Sequence, residues 1–162
     1  MVHNHSTLAQ MSMTDAVLTS KVVKAVEAIK EYNNDPKRKT PALNFKCHSI
    51  CIALASFIPK LTVVHGGYTG AKQKWHKGKL IGADLVVNDH SWLRTPRGNI
   101  IDPQPVGIIA AHPLFVIGRG KDAPYGSGLY VRGHIFKKRY KNKKVSKQTK
   151  ALKRFLKTTL KK

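Results

Sequence analysis

The sequence predicts an α+β domain, and two patterns carry that expectation. Residues 14 to 32 and 44 to 57 have the spacing or the apolar content of helices, and residues 61 to 102 contain short β-branched runs punctuated by Gly and Pro. A chain of 162 residues that is 41% apolar can bury one ordinary core and does not call for a second large domain.

The first helix is expected from Thr14 to about Tyr32, where Leu18, Val22, Val26 and Ile29 recur at helical spacing among Lys and Glu. The run NNDPKRK at residues 33 to 39 ends it, and Pro41 limits where the next element begins. Residues 44 to 57, NFKCHSICIALASF, are apolar nearly throughout, which suits a helix buried on all sides. Asn44 reads as its N-cap, which would place Cys47 at the third helical position, and Pro59 closes the segment.

Leu61 to Val64 reads as a buried strand running into His65-Gly66-Gly67-Tyr68. Residues 69 to 80 read as a basic loop carrying Lys72, Lys74, Trp75, His76, Lys77 and Lys79, followed by strands at 83 to 87, 90 to 94 and 99 to 102. The turn Thr95-Pro96-Arg97-Gly98-Asn99 fits a type I turn closed by a left-handed Gly and a bulge. That register sets Thr95 opposite Asn99, Trp92 opposite Asp102 and His90 opposite Gln104. His90 and Asp102 then become diagonal neighbours on one face. Short strands and loops are expected over residues 105 to 133.

The charge is +22, from 30 Lys and Arg against 8 Asp and Glu. Residues 134 to 162 hold thirteen of those cations and no acid. Folding needs no such excess, so it points to an anionic neighbour. Leu152, Phe155, Leu156 and Leu160 recur at helical spacing within this basic run, which reads as an amphipathic tail. Lys137, Lys138, Arg139, Lys141, Lys143, Lys144, Lys153 and Arg154 are its candidate contacts to nucleic-acid phosphates or an anionic membrane. A solubilising tail is the plain alternative. The expected organisation is a flexible N-terminus at 1 to 13, a catalytic domain at 14 to 133 and the basic tail at 134 to 162.

Two cysteines four residues apart on one helix argue against a disulfide framework, because their Cβ directions are poor for bridging. Neither a signal peptide nor a membrane-spanning run is expected, which places the chain in a reducing compartment, cytoplasmic or virion-associated.

The chemistry centres on Cys47. A thiol attacks as thiolate, and the first turn of a helix supplies a positive dipole end that lowers its pKa, with Lys46 adding charge. His90 would take the proton and return it to the leaving group, and Asp102 would fix the imidazole tautomer. The Cys47 main-chain N–H is one candidate oxyanion donor; Asn44, Tyr68 and Gln104 are candidates for a second, and Trp92 lines the same strand. Each residue also has an ordinary reading: Cys47 as a small core hydrophobe, His90 as a satisfied strand histidine, Asp102 as a strand-to-turn residue, Trp92 and Tyr68 as packing. A zinc site from Cys47, Cys51, His65 and His90, with His48 or His76 as further ligands, competes. Four-residue Cys spacing on one helix is unusual for structural zinc, so no metal or cofactor is expected.

The order KCHSICIALASFIPKLTVVHGGY, then DHSWL, then GNIIDPQP resembles the transglutaminase-like branch of the papain-type superfamily. It is also similar to small phage and bacterial proteins with a Cys-His start, a His-Ser-Trp strand and an Asp-Pro end. The resemblance covers about residues 44 to 104. It implies a papain-like core, a nucleophile helix packed on a small antiparallel sheet, with Cys47, His90 and Asp102 as the triad of a hydrolase or acyltransferase acting on peptide or amide substrates. Cys51 stands where that family usually has a small residue, and Gln104 where a Thr often follows Asp-Pro. The alternative function is a non-enzymatic, basic nucleic-acid-binding protein on a protease-like scaffold.

Overall fold

The structure is a computed structural model and describes residues 12–39, 42–43, 46–105, 113–116, 130–132 and 143–160. The first helix, α1, spans Met13–Asn34. Ser12 caps it, its hydroxyl accepting from the Asp15 N–H at 3.2 Å, and Asp15 sits favourably in the positive first turn. Leu18, Val22, Ala25, Val26 and Ile29 are buried along one stripe, as the spacing predicts. In its last turn, Asn33 holds Leu43 through two hydrogen bonds, accepting from its N–H at 2.7 Å and donating to its carbonyl at 2.8 Å. This clamp fixes the chain just ahead of the second helix.

That helix, α2, spans Cys47–Phe57 and is shorter than expected. Its N-cap position is Lys46, with no side-chain cap, so Cys47 is the first helical residue and not the third. Asn44 lies outside the described residues. Ile50, Cys51, Ala53 and Leu54 are buried.

The larger departure concerns residues 69 to 80. They form no loop: β1 (Thr62–His76) and β2 (Lys79–Arg94) are one long antiparallel hairpin, and the strands expected at 83 to 87 and 90 to 94 are a single strand. The turn is Lys77-Gly78, with φ of 46° and 77°. Two positive φ values in a two-residue connection match the twist of the flanking strands, and a register shift between Lys74 and Trp75 adds a bulge. Lys and Gly have low strand propensity, which hides the strand; ladder hydrogen bonds override it. Trp75, Leu80 and Ile81 stand exposed on the far end of this hairpin.

The turn at residues 95 to 99 forms as expected. The Thr95 N–H donates to the Asn99 carbonyl at 2.9 Å, the Gly98 N–H to the Thr95 carbonyl at 3.0 Å, and Gly98 has a φ of 87°. It leads into β3 (Ile100–Asp102), which pairs with β2 in the register Leu93 to Ile101 and Arg94 to Ile100. β4 (Leu114–Val116) pairs with β3, and β5 (Tyr130–Arg132) pairs with β1, giving an antiparallel sheet of order β4-β3-β2-β1-β5.

The last helix, α3, spans Lys143–Thr159 and corrects the expected organisation. Val145, Thr149, Leu152 and Leu156 are buried, the two leucines in the main core with α1, α2, Leu93 and Ile101. Burying each leucine contributes about 1.5 to 3 kcal/mol, enough to hold the helix on the domain. The Ser49 hydroxyl on α2 adds contacts to Gln148 at 3.0 Å and the Val145 carbonyl at 3.4 Å. The apolar stripe therefore faces the core and is not presented to a membrane, and this part of the tail belongs to the domain. Tyr68, Trp92 and Ile100 form a second apolar cluster. The overall class is α+β, and among the described residues no helix is long and apolar enough to cross a membrane.

Candidate active site

The N-terminus of α2 meets the middle of β2, and the sequence from Asp89 to Trp92 supplies most of the surrounding groups. Consecutive strand side chains point to opposite faces. His90 and Trp92 therefore share one face of β2, and Asp89, Ser91 and Leu93 the other.

On the first face, His90 Nε2 and Asp102 Oδ2 are 2.7 Å apart, and both side chains are fully buried. The register of the 95-to-99 turn puts them there. Asp102 Oδ1 accepts from the Gln104 main-chain N–H at 3.0 Å, so the carboxylate is held at both oxygens. The His90 ring is walled by Tyr68, edge-on at 6.0 Å between centroids, and by Trp92, tilted at 6.2 Å. Tyr68 and Trp92 thus act on His90 by packing. Burial and the Asp102 charge push the Tyr68 phenol up. Gln104 is tied to the site through its main chain.

His90 and its neighbour His48 both act electrostatically on the Cys47 sulfur. With His90 Nε2 committed to Asp102, Nδ1 is the ring nitrogen left to exchange a proton with the sulfur. Burial alone would raise the thiol pKa, but the two imidazoles outweigh it and bring Cys47 down to about 6. Burial would lower His90, yet Asp102 and the Cys47 sulfur hold it up at about 9. The two shifts together favour a thiolate beside an imidazolium. The Cys47 N–H also precedes the first intrahelical bond, from the Ile50 N–H to the Lys46 carbonyl at 3.0 Å, and can face a developing oxyanion.

Cys51 lies one turn deeper. It is fully buried, its thiol donates to the Ser91 carbonyl at 3.2 Å, and burial with the negative charges of Asp102 and Cys47 raises its pKa well above the ordinary thiol value. It is the inert thiol of the two.

The second face of β2 holds groups that sequence reasoning treated only as metal candidates or passed over. His48 Nδ1 and His65 Nδ1 both lie 2.6 Å from the Ser91 hydroxyl oxygen, and His48 Nε2 is 3.3 Å from Asp89. His65 and Ser91 are a cross-strand pair of the hairpin, a signal hidden while residues 61 to 94 were divided into separate strands and a loop. Among the described residues no group of three or more His, Cys, Asp or Glu side chains is placed to hold a metal ion.

Of the basic candidates, Lys144, Lys153 and Arg154 are exposed on α3, Lys143 begins that helix, and Lys137, Lys138, Arg139 and Lys141 lie outside the described residues. No family model matches the chain, and no curated protein or solved structure matches it either.

Proposed function

We propose that the chain is a cysteine-dependent hydrolase or acyltransferase on a papain-like, transglutaminase-like core. The carrying observation is the buried His90–Asp102 pair at 2.7 Å, whose imidazole also acts electrostatically on the Cys47 thiol and lowers its pKa. In this reading the Cys47 thiolate attacks a carbonyl carbon, and the tetrahedral oxyanion is met by the Cys47 N–H. Collapse breaks the bond to the leaving amine or alkoxide, which takes the Nδ1 proton of His90. His90, now neutral, removes a proton from the acceptor as it attacks the thioester, and the thiolate departs. Asp102 keeps the ring in the orientation both steps need. Water as acceptor gives peptidase, amidase or deamidase chemistry, and an amine gives transamidation.

The test uses p-nitrophenyl acetate. The reading expects a burst of p-nitrophenolate with acetyl on the Cys47 peptide, slowed about a hundred- to ten-thousand-fold in His90→Ala. Acetyl groups scattered over lysines with Cys47 unmodified would contradict it.

The outer face of α3 favours a second reading. Lys144, Lys147, Lys150, Lys153, Arg154 and Lys157 are all exposed on a helix without an acidic residue. Such a face binds nucleic-acid phosphates with strong salt dependence, whether or not the thiol reacts. The two readings are compatible, since a basic face can bring a catalytic domain to its substrate.

A further inference from the structure

We infer that Asp89, His48, Ser91 and His65 form a second proton relay beside the Cys47 sulfur, in which the one hydrogen of the Ser91 hydroxyl ties the charge on His48 to the tautomer of His65. This rests on the reading of Cys47 as an acyl-transfer nucleophile.

The argument is a hydrogen count. Two imidazole nitrogens lie 2.6 Å from one hydroxyl oxygen, and the Ser91 side chain is fully buried. Each contact needs one hydrogen, and the hydroxyl has one to give. With His48 neutral, its Nε2–H donates to Asp89, its Nδ1 accepts from Ser91, and Ser91 accepts from the Nδ1–H of His65. With His48 protonated, its Nδ1–H donates to Ser91 and Ser91 donates to His65 Nδ1, so His65 carries its proton on Nε2. A proton taken up at His65 Nε2 therefore releases the Nδ1 proton of His65 to Ser91, whose own proton passes to His48 Nδ1. The network gains one proton, His48 gains the charge, and His65 stays neutral with its tautomer exchanged.

The groups around His48 favour this division. Cys47 on α2 and Asp89 on β2 hold its pKa up against burial, while burial and the His48 charge push His65 on β1 down to about 4. His90, also on β2, reaches the same sulfur. The two histidines then have separate duties. Once His90 has given its proton to the leaving group, and until it takes one from the acceptor, His48 is the cation that remains beside the sulfur. His48 is a catalytic residue in this scheme; Ser91, His65 and Asp89 position and charge it.

The test is 15N NMR of the full chain labelled at histidine, followed across pH. The expected result is that His65 moves from Nδ1–H to Nε2–H with the midpoint at which His48 protonates. His65→Gln shifts that His48 midpoint, and His48→Gln slows Cys47 alkylation at pH 6 about fivefold, as a rise of about one pKa unit from a midpoint near 6 requires. A wild-type His65 that keeps one tautomer throughout the His48 titration overturns the relay. Loss of the underlying thiol reading would look different, as a Cys47 whose alkylation ignores His90→Ala.

Discussion

His90 and Asp102 meet at 2.7 Å with neither side chain exposed, and the turn between their strands determines that meeting. The Gly98 left-handed turn sets the register, the register sets the shared face, and the shared face gives the imidazole its fixed partner.

The Cys47–His90 pair leaves a signature in stability against pH. His90 is raised from 6.5 to about 9, so its contribution is full below 6.5 and fades as pH climbs through 9. Cys47 is lowered from 9 to about 6, so its contribution is full above 9 and fades as pH falls through 6. Between about 6.5 and 9 folded and unfolded states bind the same number of protons at these two sites, and their slopes cancel. In Cys47→Ser only the His90 part remains. Urea denaturation of that variant is expected to show stability falling with pH above 6.5, by up to about 1.4 kcal/mol per unit, until its own His90 pKa is passed.

Cys51 is expected to resist alkylation in the folded protein at any pH below denaturation, because it is fully buried and donates to Ser91. Peptide mapping after iodoacetamide in native buffer and in urea checks this, with Cys51 labelled in urea alone.

The turn that sets the register is itself anchored to α1. Asn99 donates to the fully buried Asp15 carboxylate at 2.8 Å. Asn99→Ala is expected to cost about 1 to 3 kcal/mol, since it strands a buried polar group. Gly98→Ala meets no neighbour within 4 Å and is expected to cost only the left-handed backbone penalty, about 1 to 2 kcal/mol. Denaturant titration separates the two.

The two faces of α3 are expected to respond independently. Leu156→Ala removes a fully buried side chain and should cost about 2 to 5 kcal/mol. On the second reading, changing Lys147, Lys150, Lys153 and Lys157 to Glu, all exposed, should leave the fold while weakening nucleic-acid binding and lowering its salt slope.

How far the sequence is legible depends on whether local or tertiary forces dominate. The α1 stripe and the 95-to-99 turn follow from periodicity and turn chemistry, and with them the His90–Asp102 meeting. Three features depend on packing instead. The long hairpin runs through Lys and Gly residues whose propensity argues against strand. The start of α2 at Cys47 lacks the side-chain cap that would announce it. The docking of α3 depends on a groove beside α1 and α2 that no local pattern reveals. The Asp89–His48–Ser91–His65 group stayed hidden for the same reason, since only the Ser91 to His65 cross-strand pairing assembles it.

The most direct test is iodoacetamide alkylation across pH with the modified residue mapped by mass spectrometry, in wild type and His90→Ala. The account predicts that Cys47 alkylates with a midpoint near pH 6 in wild type, displaced upward in the variant. A Cys47 that reacts only near its ordinary thiol pKa, or identically in both proteins, would contradict it.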